Sequence, residues 1–201
     1  MSPKGLLIDW GGVLTSDVFA SFDHWCEREG RAAGSVATMF AEEPGRGLLF
    51  DLECGRIGIG EFETSLGVVL DTEPTGLADA LFAGMTTQDP RMADAVSALH
   101  AAGVRTGLLS NSWGMHHYDR TRWAEMFDVL VLSAEHGVRK PDRAIYEAAV
   151  DAIGLLGDQL VFVDDIGGNL KPARELGMLT YRHTSVEDTV AFLGEQFGVA
   201  L

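Results

Sequence analysis

The sequence is poor in cysteine and in basic residues, and it has no long apolar run. Its two cysteines, Cys26 and Cys54, lie in unrelated contexts and match neither a metal-binding CxxC pattern nor a disulfide framework. No apolar stretch reaches the roughly 18 residues of a membrane span, and the first residues lack the apolar segment of a signal peptide. We therefore expect a cytoplasmic protein with reduced thiols and no membrane partner.

Basic residues are outnumbered two to one. The 201-residue chain has 15 Lys and Arg against 30 Asp and Glu, so its formal net charge is −15. A field of this sign repels a nucleic-acid backbone, which argues against a nucleic-acid partner. A small anionic ligand remains compatible, because a lysine and a bound cation act locally. The length suits one hydrophobic core with a small accessory domain.

Short apolar runs alternate with helical patterns along most of the chain. The runs predict strands at 5–9, 104–109, 129–132, 160–163 and 178–181. Helical patterns occupy 90–102, 144–153, 170–176 and 186–197. Strands that alternate with helices form a parallel sheet with right-handed crossovers, so we predict an α/β fold with a Rossmann-like sheet.

The segment 16–85 has a different pattern. It consists of helical stretches separated by glycine, and its one short strand candidate is 68–70. We predict a helical insert after the first strand, which divides the chain into a core formed by 1–15 and 86–201 and an insert formed by 16–85.

Polar side chains follow the apolar strands at their carboxyl ends, where open α/β sheets bind ligands. In chain order they are Asp9, Ser110, Asn111, Lys140, Asp164 and Asp165. Three carboxylates close together repel each other unless a cation lies among them, and such oxygen ligands suit Mg²⁺. A lysine and a hydroxyl can bind phosphoryl oxygens, and a carboxylate can attack phosphorus. Asp9 is the predicted nucleophile because glycines follow it and allow close approach of the backbone.

Four motifs in this order resemble those of the haloacid dehalogenase-like (HAD) superfamily. They are Ile-Asp9-Trp-Gly-Gly-Val-Leu, Leu-Leu-Ser110-Asn, Val-Arg-Lys140-Pro and Val-Phe-Val-Asp164-Asp165. The stretch 163–178 is similar to the N-terminal phosphatase domain of soluble epoxide hydrolases. The resemblance spans essentially the whole chain and implies that the insert is a cap domain that closes over the site.

The resemblance also implies roles for individual residues. Asp9 would be nucleophile and metal ligand, the backbone carbonyl of Gly11 and the Asp165 carboxylate would bind Mg²⁺, and Asp164 would support the metal and Lys140. Ser110, Asn111 and Lys140 would hold the phosphate. The implied function is Mg²⁺-dependent hydrolysis of a small phosphate ester or acyl phosphate through an aspartyl-phosphate. The partner would be a small phosphorylated metabolite, with monomer and homodimer both open.

The chain departs from the family pattern at Gly11. HAD phosphatases commonly carry a second Asp there, which acts as general acid and base. The alternatives are a slow phosphatase that uses water or a cap residue as acid, a protein that binds a phosphorylated ligand without turnover, and related chemistry at another electrophile. The acidic pair argues against a dehalogenase, which has no use for Mg²⁺, and its position after Lys140 argues against a receiver domain.

Two further features invite interpretation. Trp10 follows Asp9 directly and is a candidate for the substrate entrance, with packing against the cap as the alternative. His116 and His117 are adjacent in sequence and would not share a helix face, so we interpret them as loop or surface residues rather than a metal site.

Overall fold

The computed structural model describes residues 3–201, and a five-stranded sheet forms its centre. All four strand pairs are parallel, and the strand order is β3-β2-β1-β4-β5. The strands are β1 (Gly5–Ile8), β2 (Arg105–Ser110), β3 (Val129–Leu132), β4 (Leu160–Asp164) and β5 (Leu179–Arg182). The predicted α/β class is confirmed, and the first strand lies in the middle of the sheet.

Helices connect the strands and cover the sheet. Asp89 begins the first of them by accepting hydrogen bonds from the backbone N–H groups of Arg91 and Met92, and Pro90 fills its first position. The helices of this part of the chain are α6 (Pro90–Ala101), α7 (Trp123–Met126), α8 (Ser133–His136), α9 (Arg143–Ile153), α10 (Gly167–Glu175) and α11 (Val186–Phe197).

The segment 16–85, here called the cap segment, is helical. Its helices are α1 (Val18–Arg28), α2 (Ser35–Ala41), α3 (Gly45–Glu53), α4 (Ile59–Leu70) and α5 (Leu77–Leu81). The strand candidate at 68–70 was wrong, because these residues form the last turn of α4. Val68 is 80% exposed there. The preference of valine for strands arises from packing against neighbouring strands, and this exposed position does not provide such packing.

The cap segment is joined to the sheet by two adjacent connectors. Thr15 and Gln88 form an antiparallel bridge, and the Asp89 N–H donates to the Leu14 carbonyl over 2.7 Å. Phe22 and Trp25 of α1 belong to the same hydrophobic cluster as Leu6 and Ile8 of β1.

Two further features concern the cysteines and the helix lengths. Cys26 and Cys54 are both buried free thiols. None of the helices formed by residues 3–201 has the length and apolar character needed to cross a lipid bilayer.

Candidate active site

Lys140 joins the carboxyl ends of the two central strands. Its Nζ lies 2.7 Å from Asp9 Oδ1, just beyond β1, and 2.7 Å from Asp164 Oδ2 at the end of β4. The lysine side chain is 1% exposed. Burial alone would lower the pKa of Lys140, but the two carboxylates outweigh burial and hold that pKa above its ordinary value. The site therefore contains a fixed positive charge.

Both carboxylate oxygens of Asp164 accept hydrogen bonds. Asn169 Nδ2 donates to its two oxygens over 3.0 and 3.1 Å, and the Ile166 N–H donates to Oδ1 over 2.8 Å. Tyr146 fixes the asparagine in turn by donating its hydroxyl to the Asn169 carbonyl over 2.7 Å. Asp164 and Asn169 therefore form a rigid support behind Lys140.

Asp9, Asp164 and Asp165 form a carboxylate cluster. Each residue offers one oxygen, and these three oxygens lie within 4.8 Å of one another. Burial, opposed by Lys140 and reinforced by the other two carboxylates, raises the pKa of Asp9 to about 8. Burial and then the charge of Asp164 raise the pKa of Asp165 to about 6. Asp165 Oδ1 is buried and has no hydrogen-bond partner within residues 3–201. A divalent cation with oxygen ligands fits this cluster, because it would satisfy that oxygen and offset the repulsion.

The two glycines after Asp9 leave room for these groups. Gly12 has a φ of +73°, and a Cβ atom there would lie 2.4 Å from Asp165 Oδ2. Gly11 lines a cavity of about 60 Å³ that also contains Asp9 and Asp165. A Cβ atom at position 11 would lie 2.5 Å from Met85 Cε. The methionine side chain therefore occupies the space of a side chain at position 11.

Ser110 ends β2, Asn111 follows it, and both line the cavity. Tyr118 donates its hydroxyl to Ser110 Oγ over 3.0 Å. Asn111 Oδ1 accepts from the Lys140 N–H over 2.8 Å, and its Nδ2 donates to the Lys140 carbonyl over 3.2 Å. The Asn111 side chain thus positions the Lys140 loop, and the contact of Asn111 with phosphate stays a prediction.

The cap segment contributes a residue that the sequence analysis missed. Glu53, at the end of α3, is 3% exposed and lines the cavity of about 60 Å³ that also contains Asp9 and Asp165. Its Oε1 accepts from Trp113 Nε1 over 2.7 Å, and its Oε2 pairs with Arg139. Burial raises the pKa of Glu53, although Arg139 opposes the shift. No local motif marks this glutamate, since only the fold brings α3 to the strand ends.

Trp10 packs into the hydrophobic core. It is 1% exposed, and its Nε1 donates to the Met85 carbonyl over 3.0 Å. Tyr118 and Trp123 pack against it edge-to-face, with ring centroids 5.2 and 6.0 Å away. These contacts are those of a packed core residue and favour the packing alternative over the entrance role.

The family model for haloacid dehalogenase-like hydrolases matches residues 3–177. The chain belongs to this family of hydrolases. Bifunctional epoxide hydrolase 2 of Rattus norvegicus is 36% identical over 111 residues, which cover 52% of this chain and 20% of the rat protein. Glyceraldehyde 3-phosphate phosphatase of Methanocaldococcus jannaschii is 28% identical over 97 residues, covering 46% of this chain and 42% of that protein. The HAD chain thus spans less than half the length of either relative.

Solved structures share the fold over nearly the whole chain. The HAD family enzyme BT-2542 of Bacteroides thetaiotaomicron has a TM-score of 0.74 at 23% identity, covering 96% of this chain and 98% of its own. The same enzyme has been crystallised with magnesium and inorganic phosphate, and that structure has a TM-score of 0.70 over 90% of this chain and 94% of its own.

Proposed function

We propose that this HAD hydrolase is a Mg²⁺-dependent phosphatase that acts on a small phosphate ester or acyl phosphate. The observation that carries the proposal is the pair of 2.7 Å contacts from Lys140 Nζ to Asp9 and Asp164, beside a carboxylate cluster with an unpaired buried oxygen. A fixed cation and a metal-binding carboxylate cluster are what a phosphoryl group requires. Two similarities support the proposal: one to a glyceraldehyde 3-phosphate phosphatase, and one to an enzyme of the same fold that was crystallised with magnesium and inorganic phosphate.

The residues that would hold Mg²⁺ are Asp9, Asp165 and the Gly11 carbonyl, with Asp164 as support. When bound, the ion would neutralise charge on the carboxylates and on a phosphoryl oxygen. Gly12 leaves room for Asp165, because a Cβ atom at position 12 would lie only 2.4 Å from Asp165 Oδ2.

Asp9 is the proposed nucleophile. Its Oδ1 accepts from the Trp10 N–H and contacts Lys140, both over 2.7 Å, which orients Oδ2 as the attacking oxygen. The new O–P bond forms as the bond from phosphorus to the leaving oxygen breaks, giving an aspartyl-phosphate and an alkoxide or carboxylate. Water then attacks phosphorus, releases inorganic phosphate and regenerates the Asp9 carboxylate. Lys140 and Ser110, with the Asn111 N–H, would hold the phosphoryl oxygens.

The proposed substrates are phosphate compounds whose leaving groups need little protonation. Gly11 provides no acid, whereas general acid–base catalysis typically contributes about 10²- to 10⁴-fold. Acyl and aryl phosphates leave without much protonation, so they should react faster than alkyl phosphates. We further propose that the cap segment 16–85 acts as a cap domain that selects the substrate, with Glu53, which pairs with Arg139, at the cavity.

A second candidate is a protein that binds a phosphorylated ligand with little turnover. The observation in its favour is Met85, which fills the space of an acid at position 11. The Asp9, Lys140 and Asp165 arrangement is common to both candidates. Binding of phosphate would therefore not distinguish them, and turnover would.

The test is hydrolysis of acetyl phosphate and p-nitrophenyl phosphate, each with Mg²⁺ and with excess chelator. We expect turnover of both that disappears with chelator. Equal turnover in chelator would contradict the metal requirement. Saturable phosphate binding without turnover of either compound would support the binding protein instead.

A further inference from the structure

A second cluster of ligand-type side chains lies where the cap segment meets the loop after β2. Asp79 is on α5 of the cap segment, and His116 and His117 form a 3-10 turn that follows Gly114. The three side chains offer ligand atoms that all lie within 4.8 Å of one another. This group is separate from the carboxylate cluster at the strand ends.

The turn brings both imidazoles to one side. Gly114 has a φ of +105°, which L side chains rarely adopt, and the turn Met115–His117 follows it directly. The ring centroids of His116 and His117 are 3.9 Å apart. The expectation that adjacent histidines diverge applies to a regular α-helix, and this turn does not obey it.

His117 is oriented as a metal ligand. The side chain is 4% exposed, and its Nδ1 lies 3.1 Å from the Trp113 carbonyl. Because a carbonyl can only accept, Nδ1 must carry the proton, which leaves a lone pair on Nε2 in the neutral ring. A hydrogen bond of this kind, from one ring nitrogen to a carbonyl, typically accompanies metal ligation by the other.

The lone pair of His117 faces a carboxylate. Nε2 lies 3.2 Å from Asp79 Oδ1, yet this buried nitrogen has no hydrogen-bond partner within residues 3–201. Two acceptors at that distance require a cation or a proton between them. A metal ion would contact both atoms and give the buried nitrogen a partner.

The distances suit one shared metal ion. Asp79 Oδ1 lies 3.2 Å from His117 Nε2 and 3.6 Å from His116 Nε2. Two ligands at about 2.0–2.1 Å from a tetrahedral zinc ion are about 3.3 Å apart. Two imidazoles with one carboxylate favour a borderline transition metal over Mg²⁺, which prefers oxygen.

We propose that Asp79, His116 and His117 form a zinc-type transition-metal site that ties cap helix α5 to the loop after β2. The ion would have three protein ligands and one open position for water. Because the ligands come from both sides of the contact, the ion would hold the cap segment against the sheet domain.

The test is a calorimetric titration of the 201-residue chain with Zn²⁺ in excess Mg²⁺, which is expected to fill the carboxylate cluster. We expect one zinc site per chain, and a loss of affinity of about tenfold or more in Asp79→Ala and in His116→Ala. Both replaced side chains are at least half exposed, so the variants should fold. Zinc should also raise the Tm of the wild type and leave that of Asp79→Ala unchanged.

Matched controls identify the site. Asp151→Ala and His136→Gln change exposed residues elsewhere and should bind zinc as the wild type does. Asp165→Asn removes a carboxylate of the other cluster and should also keep the zinc site. No saturable binding, or binding unchanged in Asp79→Ala and His116→Ala, would overturn the proposal, as would loss of the site in Asp165→Asn alone.

Discussion

Met85 occupies the space that a side chain at Gly11 would need. A Cβ atom at position 11 would lie 2.5 Å from Met85 Cε, closer than real Cβ atoms approach other heavy atoms. Met85 is 5% exposed, and its carbonyl accepts the Trp10 indole hydrogen bond over 3.0 Å. Gly11 lacks the acidic side chain, and Met85 fills the space that this side chain would need.

Restoring the acid requires the Met85 side chain to move or to be shortened. Gly11→Asp alone must displace the Met85 side chain, whereas Gly11→Asp with Met85→Ala provides the space. We expect the double variant to hydrolyse alkyl phosphates about tenfold or more faster than Met85→Ala, part of the roughly 10²- to 10⁴-fold effect of general acid catalysis. The measurement is kcat/KM for an alkyl and an aryl phosphate. Equal gains on both substrates, or no gain, would show that leaving-group protonation does not limit the enzyme.

Lys140 should stabilise the fold as well as the site. Lys140→Ala leaves the buried Asp164 carboxylate without its cation, and removing one partner of a buried ion pair typically costs about 3–5 kcal/mol. We expect a loss of that order in the free energy of unfolding, measured with urea in chelator. Lys171→Ala is the control: its side chain is 80% exposed, so a change within about 0.5 kcal/mol is expected. Equal stability of the two variants would contradict the assignment.

Asp9 should make stability depend on pH when no metal is present. Its pKa is about 8 in the folded chain and 3.8 ordinarily, so between these values the folded state holds a proton that the unfolded chain releases. The folded state then binds more protons, and its stability falls as pH rises through this window. We expect the stability of the wild type relative to Asp9→Asn to decrease from about pH 4 to about pH 8.

The measurement is urea unfolding of both proteins across that range, first in chelator and then in Mg²⁺. Taking the difference between the proteins cancels groups that titrate alike in each. The ion should flatten the wild-type dependence, because it favours the ionised carboxylates. A relative stability that increases with pH in chelator would be inconsistent with the shifted pKa.

The strands and the strand-end residues could be predicted from the sequence. Apolar runs bounded by glycine and polar residues locate β1 and β4. Parallel pairing brings the carboxyl ends of these strands together, whatever conformation the loops adopt. Asp9 and Asp164 were therefore expected to be neighbours. Lys140 was expected beside them because it lies in the loop after the predicted strand 129–132, and it contacts both.

Residues that reach the site from distant elements could not be predicted. Glu53 and Met85 both belong to the cap segment, and their neighbours Trp113 and Gly11 lie 60 and 74 positions away in the chain. The same holds for His117, whose partner Asp79 is on another helix. Local patterns describe the face of an element, and only packing decides which faces meet.

The most direct test of the central claim is the turnover of acetyl phosphate in Mg²⁺ by Asp9→Asn, with exposed Asp151→Asn as the control. The Asn side chain keeps the shape of the carboxylate but is a poor nucleophile. The covalent mechanism predicts that Asp9→Asn loses turnover while remaining folded, and that Asp151→Asn retains wild-type activity. A folded Asp9→Asn variant with wild-type turnover would contradict it.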